Sequence, residues 1–358
     1  MALGQTDYDI AKQVASAPFW RQDIFASLFS DDFTMDFTFA PPGMPTHFDT
    51  WEGERCFEWL NRTVRSWDVK LEEFYGTPPW GSSPFGGSGA TCATPVPGVF
   101  WAVGERGGDV FWGGRDGHFH SKFFMRIELA GGKVTYIKIW MDPLAFLRAA
   151  GREVPRYAMD IYDPKVDEYI AEHPEVKHFG ATYGAAGQGA DLDMAPGAVA
   201  ARRENNLRSF ICGEEREKYR KLETFAPGFR GGAWFAPMEM PEGVGMGTDQ
   251  LMDDHGVPPH LEQRMQAWVK ASSPWMYKHP RGRVFATDDV NVWFVEMNGH
   301  GPARWRGNGY DYGHYHQPYL LIAKFDEAGR LTVRDEVLNP VNKYNCVNIS
   351  LPSFPYYL

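Results

Sequence analysis

Hydrophobic and polar residues alternate with a period of two in both halves of the chain, which is typical of half-buried β-strands. The alternating stretches are VFWAVGE, GHFHSKFFMRIEL and KVTYIKIWM in the first half, and NVWFVEMNG, GHYHQPYLLIAKF and LTVRDEVLN in the second. A helical stretch opens each half, and a short strand with a Pro/Gly turn and a second helix follow, CFEWLNRTVRSW or HLEQRMQAWVKAS. Helices followed by a meander of long strands favour an α+β fold, with the helices on one face of a curved antiparallel sheet.

The two halves repeat the same motifs at an offset of about 196 residues. GKVTYIKIWMDP (132–143) aligns without a gap with GRLTVRDEVLNP (329–340), and GHFH at 117–120 aligns with GHYH at 313–316. Because the order and spacing of the motifs persist, we predict two fused domains of one fold. We place the first domain at residues 1–150, a helical and Gly/Ala-rich linker at 151–200 and the second domain at 201–358.

Charge and composition exclude several classes of protein. The net charge of the 358-residue chain is −10 and there is no basic tract, so we expect no nucleic-acid partner. No apolar run is long enough to span a membrane and the first residues lack an apolar signal region, so we expect no membrane association. The four cysteines are far apart and form no CxxC motif, which favours a reducing, cytoplasmic location.

Aromatic residues make up 15% of the chain, with 13 Trp, 16 Tyr and 25 Phe. One interpretation is large aromatic cores together with an oligomer interface, and a homodimer fits that interpretation. The other is a cavity for a flat aromatic molecule, in which Trp101 and Trp293 are candidate wall residues. The predicted partner is therefore a small aromatic substrate.

The stretches GKVTYIKIWMDPLAFLRAAGREVPRY and VNVWFVEMNG…EVLNPVNKYN resemble SnoaL-like proteins of the nuclear transport factor 2-like class, specifically the phenazine-biosynthesis A/B branch. The resemblance implies two fused cone-shaped domains in a pseudo-dimer, each with a sheet wrapped around helices, and no cofactor or metal. Members of that branch condense two cyclohexenone-type amino acids, and the resemblance puts acid/base work on a glutamate of the last strand. That position is Glu336 in the second half and Ile139 in the first. The helix-two histidine and serine of the branch fall near Met265 and Val269, so the resemblance implies a container and one carboxylate.

Three ionisable side chains could carry proton transfer or hold an anion in this container. Arg334 and Glu336 lie two residues apart in LTVRDEVLN and so share one face of the strand, where arginine could anchor a phenolate or carboxylate. A surface ion pair is the alternative. Asp36 lies between bulky apolar residues in FTMDFTF, a setting that suits a carboxylate to proton transfer if it does not simply face solvent.

The repeated GH(F/Y)H motif places two pairs of histidines on strand faces, His118 with His120 and His314 with His316. A metal site needs a third ligand, so we expect none and favour an acid/base or hydrogen-bonding role, with structural histidines as the alternative. Lys122 shares the face of His118 and His120 and could steady a phenolic anion.

These residues favour a cofactor-independent lyase acting on a phenolic aromatic molecule by acid/base chemistry. The tandem, aromatic-rich layout is also similar to the γ-formaldehyde lyases of lignin-derived diarylpropane breakdown, and this implies deformylation of a diarylpropane diol to a stilbene. Glu336 or Asp36 would be the base, a histidine the acid, and Arg334 or Lys122 the anchor. Two alternatives stay open, a phenazine-type condensation or polyketide cyclisation, and a non-catalytic protein that binds an aromatic ligand.

Overall fold

The structure is a computed structural model. It describes residues 6–17, 27–77, 98–155, 164–172, 192–212, 225–235, 277–279, 284–304, 312–346 and 349–356. The contacts divide the chain into two units. The first unit contains residues 1–81, 95–155 and 351–358, and the second contains residues 156–350. Among the described residues, no helix is long and apolar enough to cross a membrane.

The first unit is built on a six-stranded sheet with helices before, within and after it. Its elements are α1 (Asp7–Ser16), β1 (Phe29–Phe37), β2 (His47–Phe48), α2 (Thr50–Thr63), β3 (Asp68–Gly76), β4 (Val99–Trp112), β5 (Arg115–Ala130), β6 (Lys133–Met141) and α3 (Pro143–Ala149). The strand order is β2-β1-β6-β5-β4-β3. All neighbouring strands are antiparallel except β1 and β6, which pair in parallel.

The second unit repeats this order around its own sheet. Its elements are α4 (Pro164–Glu172), α5 (Pro196–Cys212), β7 (Phe225–Trp234), β8 (Tyr277–His279), β9 (Val284–Ala286), β10 (Val292–Arg304), β11 (Tyr312–Phe325), β12 (Leu331–Val337) and α6 (Pro340–Cys346). The strand order is β7-β12-β11-β10-β8, with β9 also paired to β10. The first and last strands, β7 and β12, are again parallel.

The α+β class and the meander of three long strands in each half are confirmed. The sheet differs from the expected antiparallel one in its parallel pair of first and last strands. Strand β3 was not predicted, and α2 begins at Thr50 rather than at the predicted Cys56, because Asp49 caps it by accepting a hydrogen bond from the Glu52 amide. The predicted second helix of the second half, HLEQRMQAWVKAS, lies outside the described residues.

A tight turn fixes the register between β5 and β6. Ala130 pairs with Lys133, and the two glycines between them, Gly131 and Gly132, have φ angles of 60° and 74°. Positive φ at both central residues is typical of the hairpin turn whose twist matches the flanking strands, and only glycine adopts it without strain.

Aromatic rings form the core at one end of the first unit. Trp112 stacks on Phe146 with ring centroids 5.3 Å apart and on Trp59 at 5.9 Å. Phe354, from the end of the chain, meets all three rings edge-on and is only 2% exposed. These edge-to-face contacts add to the free energy gained by burying the rings. Residues 351–356, here called the C-terminal segment, are therefore part of this core.

Backbone contacts hold the C-terminal segment in place. The amide of Phe354 donates to the carbonyl of Pro42 at 2.6 Å. A Cβ atom at Gly43 would lie 2.2 Å from Oγ of Ser353, so the close approach requires glycine there. The sequence-based domain assignment places residues 351–358 in the second domain, whereas in the structure they belong to the first unit. Sequence order could not show this, because the contacts are non-local.

We expect Phe354→Ala to lower the free energy of unfolding by about 3–5 kcal/mol, because it removes a fully buried ring and leaves a cavity. Urea unfolding followed by tryptophan fluorescence measures this change. Phe111→Ala is the matched control, since Phe111 is 40% exposed in the same unit and its loss should cost under about 1 kcal/mol. Equal losses in the two variants would show that Phe354 does not stabilise the core.

The C-terminal segment also covers the thiol of Cys56. Burial raises the pKa of Cys56 to about 12, although a hydrogen bond with the Tyr356 side chain lowers it slightly. At pH 8 the thiol is therefore protonated and unreactive in the folded protein. We expect Cys56 to resist iodoacetamide in the full chain and to react after deletion of residues 351–358, as measured by peptide mass spectrometry. Rapid alkylation of Cys56 in the full chain would contradict this burial.

Candidate active site

The last strand of the second unit, β12, carries a partly buried ion pair. Arg334 and Glu336 are two residues apart and project from the same face, and Nη2 of Arg334 donates to Oε1 of Glu336. Their side chains are 27% and 17% exposed. A charge-assisted hydrogen bond that is partly removed from water is stronger than one at the surface.

The surroundings of this pair are apolar. Glu336 lies opposite Leu321 of β11, which in turn lies opposite Val295 of β10, and both neighbours are buried. Arg334 lies opposite Ala323, whose partner on β10 is Trp293. Paired residues in antiparallel strands project from the same face, so these side chains form one surface, here called the Glu336 face. It continues with three further buried side chains, Met297, Tyr319 and Leu338.

The equivalent positions of the first unit hold no charge. Ile139 of β6 pairs with Met125 and Ile137 pairs with Ile127, which is the same arrangement that Glu336 and Arg334 have in the second unit. All of these residues are buried. Of the two equivalent strand faces, only that of the second unit carries a carboxylate beside a guanidinium.

Asp36 belongs to a different cluster on β1 of the first unit. Its Oδ1 lies 2.7 Å from Nδ1 of His47, and its Oδ2 accepts a hydrogen bond from the Tyr136 hydroxyl. Asp36 pairs with Lys138 of β6 and so lies on the sheet face opposite to Ile139. The side chains of Asp36 and His47 are 33% and 61% exposed.

The sequence analysis missed both partners of Asp36. His47 lies directly across the short hairpin from Asp36, and this pairing across the APPGMPT turn was the available signal. The second unit has Gly232 at the position of Asp36, opposite Asp335, so this cluster has no counterpart there.

The structure does not bring the predicted histidines to either carboxylate. His118 and His120 are exposed, and Nδ1 of His118 lies 3.1 Å from Oδ1 of Asp109. Arg126 of β5 lies in the same cross-strand row as Asp36. His118 is eight residues along β5 from Arg126, so it lies about 26 Å along the strand from that row. A hydrogen bond with His118, which has the larger effect, and a second one with Ser66 hold the pKa of Asp109 below its usual range.

His316 of the second unit lies on the other side of its strand. His316 is exposed and its carbonyl accepts a hydrogen bond from Nδ2 of Asn342 at 2.9 Å. Strand alternation places His316 on the face of β11 opposite to Leu321, and therefore opposite to the Glu336 face. The side chain of His314 lies outside the described residues.

The remaining predicted site residues, which are Lys122, Trp101 and Trp293, have different surroundings. Lys122 forms an ion pair with Glu72 of β3 and is mostly buried. Trp101 is fully buried on the face of Arg126, whereas Trp293 lies on the Glu336 face and donates to the Val290 carbonyl at 3.0 Å. Within the part of the chain that the structure describes, no three His, Cys, Asp or Glu side chains are grouped closely enough to hold a metal ion.

Comparison with known proteins finds a described family that is similar to the second half of the chain. Residues 201–355, which include Arg334 and Glu336, match the family described as phenazine biosynthesis protein A/B. The protein PhzB 2 of Pseudomonas aeruginosa (strain UCBPP-PA14) is 27% identical over 158 residues, which is 43% of this chain and 87% of that protein.

Two solved structures also match. The crystal structure of PhzB2 from Pseudomonas aeruginosa covers 43% of this chain and 90% of its own, at 20% identity and a TM-score of 0.33. An NTF2-like protein from Burkholderia xenovorans LB400 covers 41% of this chain and 99% of its own, at 16% identity and a TM-score of 0.28. Each of these two matches spans less than half of the chain.

We expect Arg334 and Glu336 to be energetically coupled. A double-mutant cycle with Arg334→Met and Glu336→Gln should give a coupling of about 1 kcal/mol or more, because each single change leaves a partly buried polar partner behind. Urea unfolding of the four proteins measures it. Additive effects of the two substitutions would show that solvent screens the pair, as it screens most surface ion pairs.

Proposed function

We propose that this protein is a cofactor-independent enzyme that performs acid/base chemistry on a small aromatic or cyclohexenone-type molecule. The observation that carries the proposal is the Arg334–Glu336 pair on a largely apolar, buried face of the second unit. A charged pair in such a place is costly for stability and is typical of functional sites. The family match over residues 201–355 supports the same location.

The pair suits removal of a proton from a bound substrate. The carboxylate of Glu336 accepts the proton, and negative charge develops on the substrate as the bond to hydrogen breaks. The guanidinium of Arg334 has further N–H donors beyond the one it gives to Glu336, and these stabilise the developing anion. Apolar neighbours exclude water and strengthen both interactions.

The leading reaction is release of formaldehyde from a phenolic diarylpropane diol. The phenolate, held by Arg334, pushes electrons toward the benzylic carbon and expels its hydroxyl group, which leaves as water after protonation. Glu336 takes the proton of the terminal hydroxyl, the carbon–carbon bond breaks, formaldehyde leaves and a stilbene forms. The tandem, aromatic-rich layout supports this reaction. Tyr319 is the hydroxyl on the Glu336 face that suits the role of acid, which the sequence analysis assigned to a histidine.

A condensation or cyclisation is the second candidate, and the family match favours it. Glu336 would then move a proton while two cyclohexenone-type molecules join, or while one polyketide-like chain closes on itself. The same pair would act in both reactions. They differ in the substrate consumed, and a protein that only binds aromatic ligands would consume neither.

We expect the full chain to convert a phenolic diarylpropane diol into a stilbene with an equal amount of formaldehyde. Glu336→Gln should slow this by at least about two orders of magnitude, because the amide cannot accept the proton. Ultraviolet absorption and a formaldehyde assay follow the two products. The control is Asp335→Asn on the opposite face of the same strand, which should keep the wild-type rate.

Other outcomes of these measurements would indicate a different mechanism, a different reaction or a binding protein. A Glu336→Gln variant as fast as the wild type would remove Glu336 from the mechanism. No turnover of the diol, with consumption of an amino-cyclohexenone, would establish the condensation instead. Saturable quenching of tryptophan fluorescence without consumption of any ligand would identify a binding protein.

A further inference from the structure

One buried side chain on the Glu336 face has no hydrogen-bond partner. Gln317 of β11 is 0% exposed, and neither its Oε1 nor its Nε2 atom is hydrogen-bonded within the described part of the chain. Buried amides are almost always satisfied, because an unpaired donor and acceptor lose their hydrogen bonds to water without compensation. A glutamine kept in this state is explained by a ligand that supplies the missing partners.

Strand alternation places Gln317 on the same face as the ion pair. Gln317 is four residues from Leu321 on β11, and Leu321 lies directly opposite Glu336. The pairing of β11 with β10 is continuous through this region, so no irregularity turns Gln317 to the other side. Gln317, Tyr319 and Glu336 therefore belong to one surface.

The residue across from Gln317 has no side chain. Gly299 of β10 pairs with Gln317, and a Cβ atom on Gly299 would lie 2.4 Å from the ring of Tyr319. The glycine allows the tyrosine ring to lie over β10 beside the amide. Gln317 is thus accompanied by an aromatic ring rather than by a polar protein group.

The first unit satisfies the side chain at the position of Gln317 with its own atoms. Ser121 of β5 pairs with Arg106 of β4, at the positions of Gln317 and Gly299. The Ser121 hydroxyl accepts a hydrogen bond from the Asp142 amide at 2.9 Å and donates to the Lys122 carbonyl at 2.6 Å. Arg106 is fully buried, with its guanidinium 4.6 Å from the ring centroid of Phe123. Of these two equivalent residues, Ser121 is hydrogen-bonded by protein atoms, whereas Gln317 is not hydrogen-bonded within the described part of the chain.

The distance along β11 between Gln317 and the position of the Arg334–Glu336 pair indicates the length of the ligand. Four residues of strand separate Gln317 from Leu321, which is about 13 Å. Met297, Tyr319 and Leu338 lie on the face between them, and all three are buried. One benzene ring does not bridge such a span, whereas two linked rings do.

We propose that Gln317 binds the carbonyl or hydroxyl group at the far end of an elongated, two-ring substrate whose reacting end lies at Arg334 and Glu336. This inference rests on the proposed function and names its substrate class. A site built to hydrogen-bond a substrate oxygen rejects an analogue without it, because the analogue leaves the amide unpaired. Gln317 is then the residue that selects for the distal oxygen.

The test measures binding without turnover, in the Glu336→Gln background of the full chain. The probes are a phenolic diarylpropane diol with a hydroxyl on its distal ring and the analogue that lacks this hydroxyl. Added Gln317→Met should weaken binding of the first at least about tenfold and change binding of the second less than about threefold. Isothermal calorimetry gives both affinities. The matched control is Ser121→Ala in the first unit, which should change neither.

Thermal unfolding separates recognition from a structural role. Methionine has a similar shape without the unsatisfied amide, so Gln317→Met should leave the midpoint unchanged or raise it. A lower midpoint, or equal weakening of both ligands, would overturn the assignment of Gln317. If the chain without the Gln317 change bound neither ligand, the two-ring class would be wrong. Glu336 could still act in turnover assays on amino-cyclohexenones, so the two proposals fail separately.

Discussion

Parallel pairing of the first strand with the last strand constrains both units. It places β6 and β12 inside their sheets, hydrogen-bonded along both edges, so their residues cannot shift register without moving every neighbour. A side chain that projects from the buried face of such a strand is largely removed from solvent. The first unit meets this constraint with Ile137 and Ile139, and the second unit meets it by pairing Arg334 with Glu336.

The two units share one strand order but differ in the side chains at equivalent positions of the sheet. In the first unit the positions of Arg334 and Glu336 hold the buried Ile137 and Ile139, and Ser121, at the position of Gln317, accepts a hydrogen bond from the Asp142 amide. In the second unit the same positions hold an ion pair, a glycine and an unsatisfied amide. Each departure costs stability, and such costs persist where they serve binding or catalysis. This asymmetry is the reason that the proposed acid/base chemistry is assigned to the second half, where the family match also lies.

Local patterns in the sequence predicted the features that depend on local geometry. The bounds of β6 and the shared face of Arg334 and Glu336 follow from the period-two alternation of a strand. Features set by distant residues were not accessible in this way. The Asp36–His47 contact depends on hairpin register, and the missing partners of Gln317 depend on which residues its neighbours in the sheet present. Strand β3 is an edge strand with a mostly half-exposed pattern, so its alternation was weak.

The C-terminal segment has a consequence for the order in which the protein forms during synthesis. Ser353 and Pro42 are 311 residues apart, yet they are in contact within the first unit. The first strands of the first unit leave the ribosome early, but Phe354, whose ring completes the aromatic core of this unit, is translated about 300 residues after them. Contacts of such long range slow folding, and domains usually fold as they emerge. The nascent first unit must therefore wait, with Trp59 and Trp112 uncovered on that side, until Phe354 has left the ribosome.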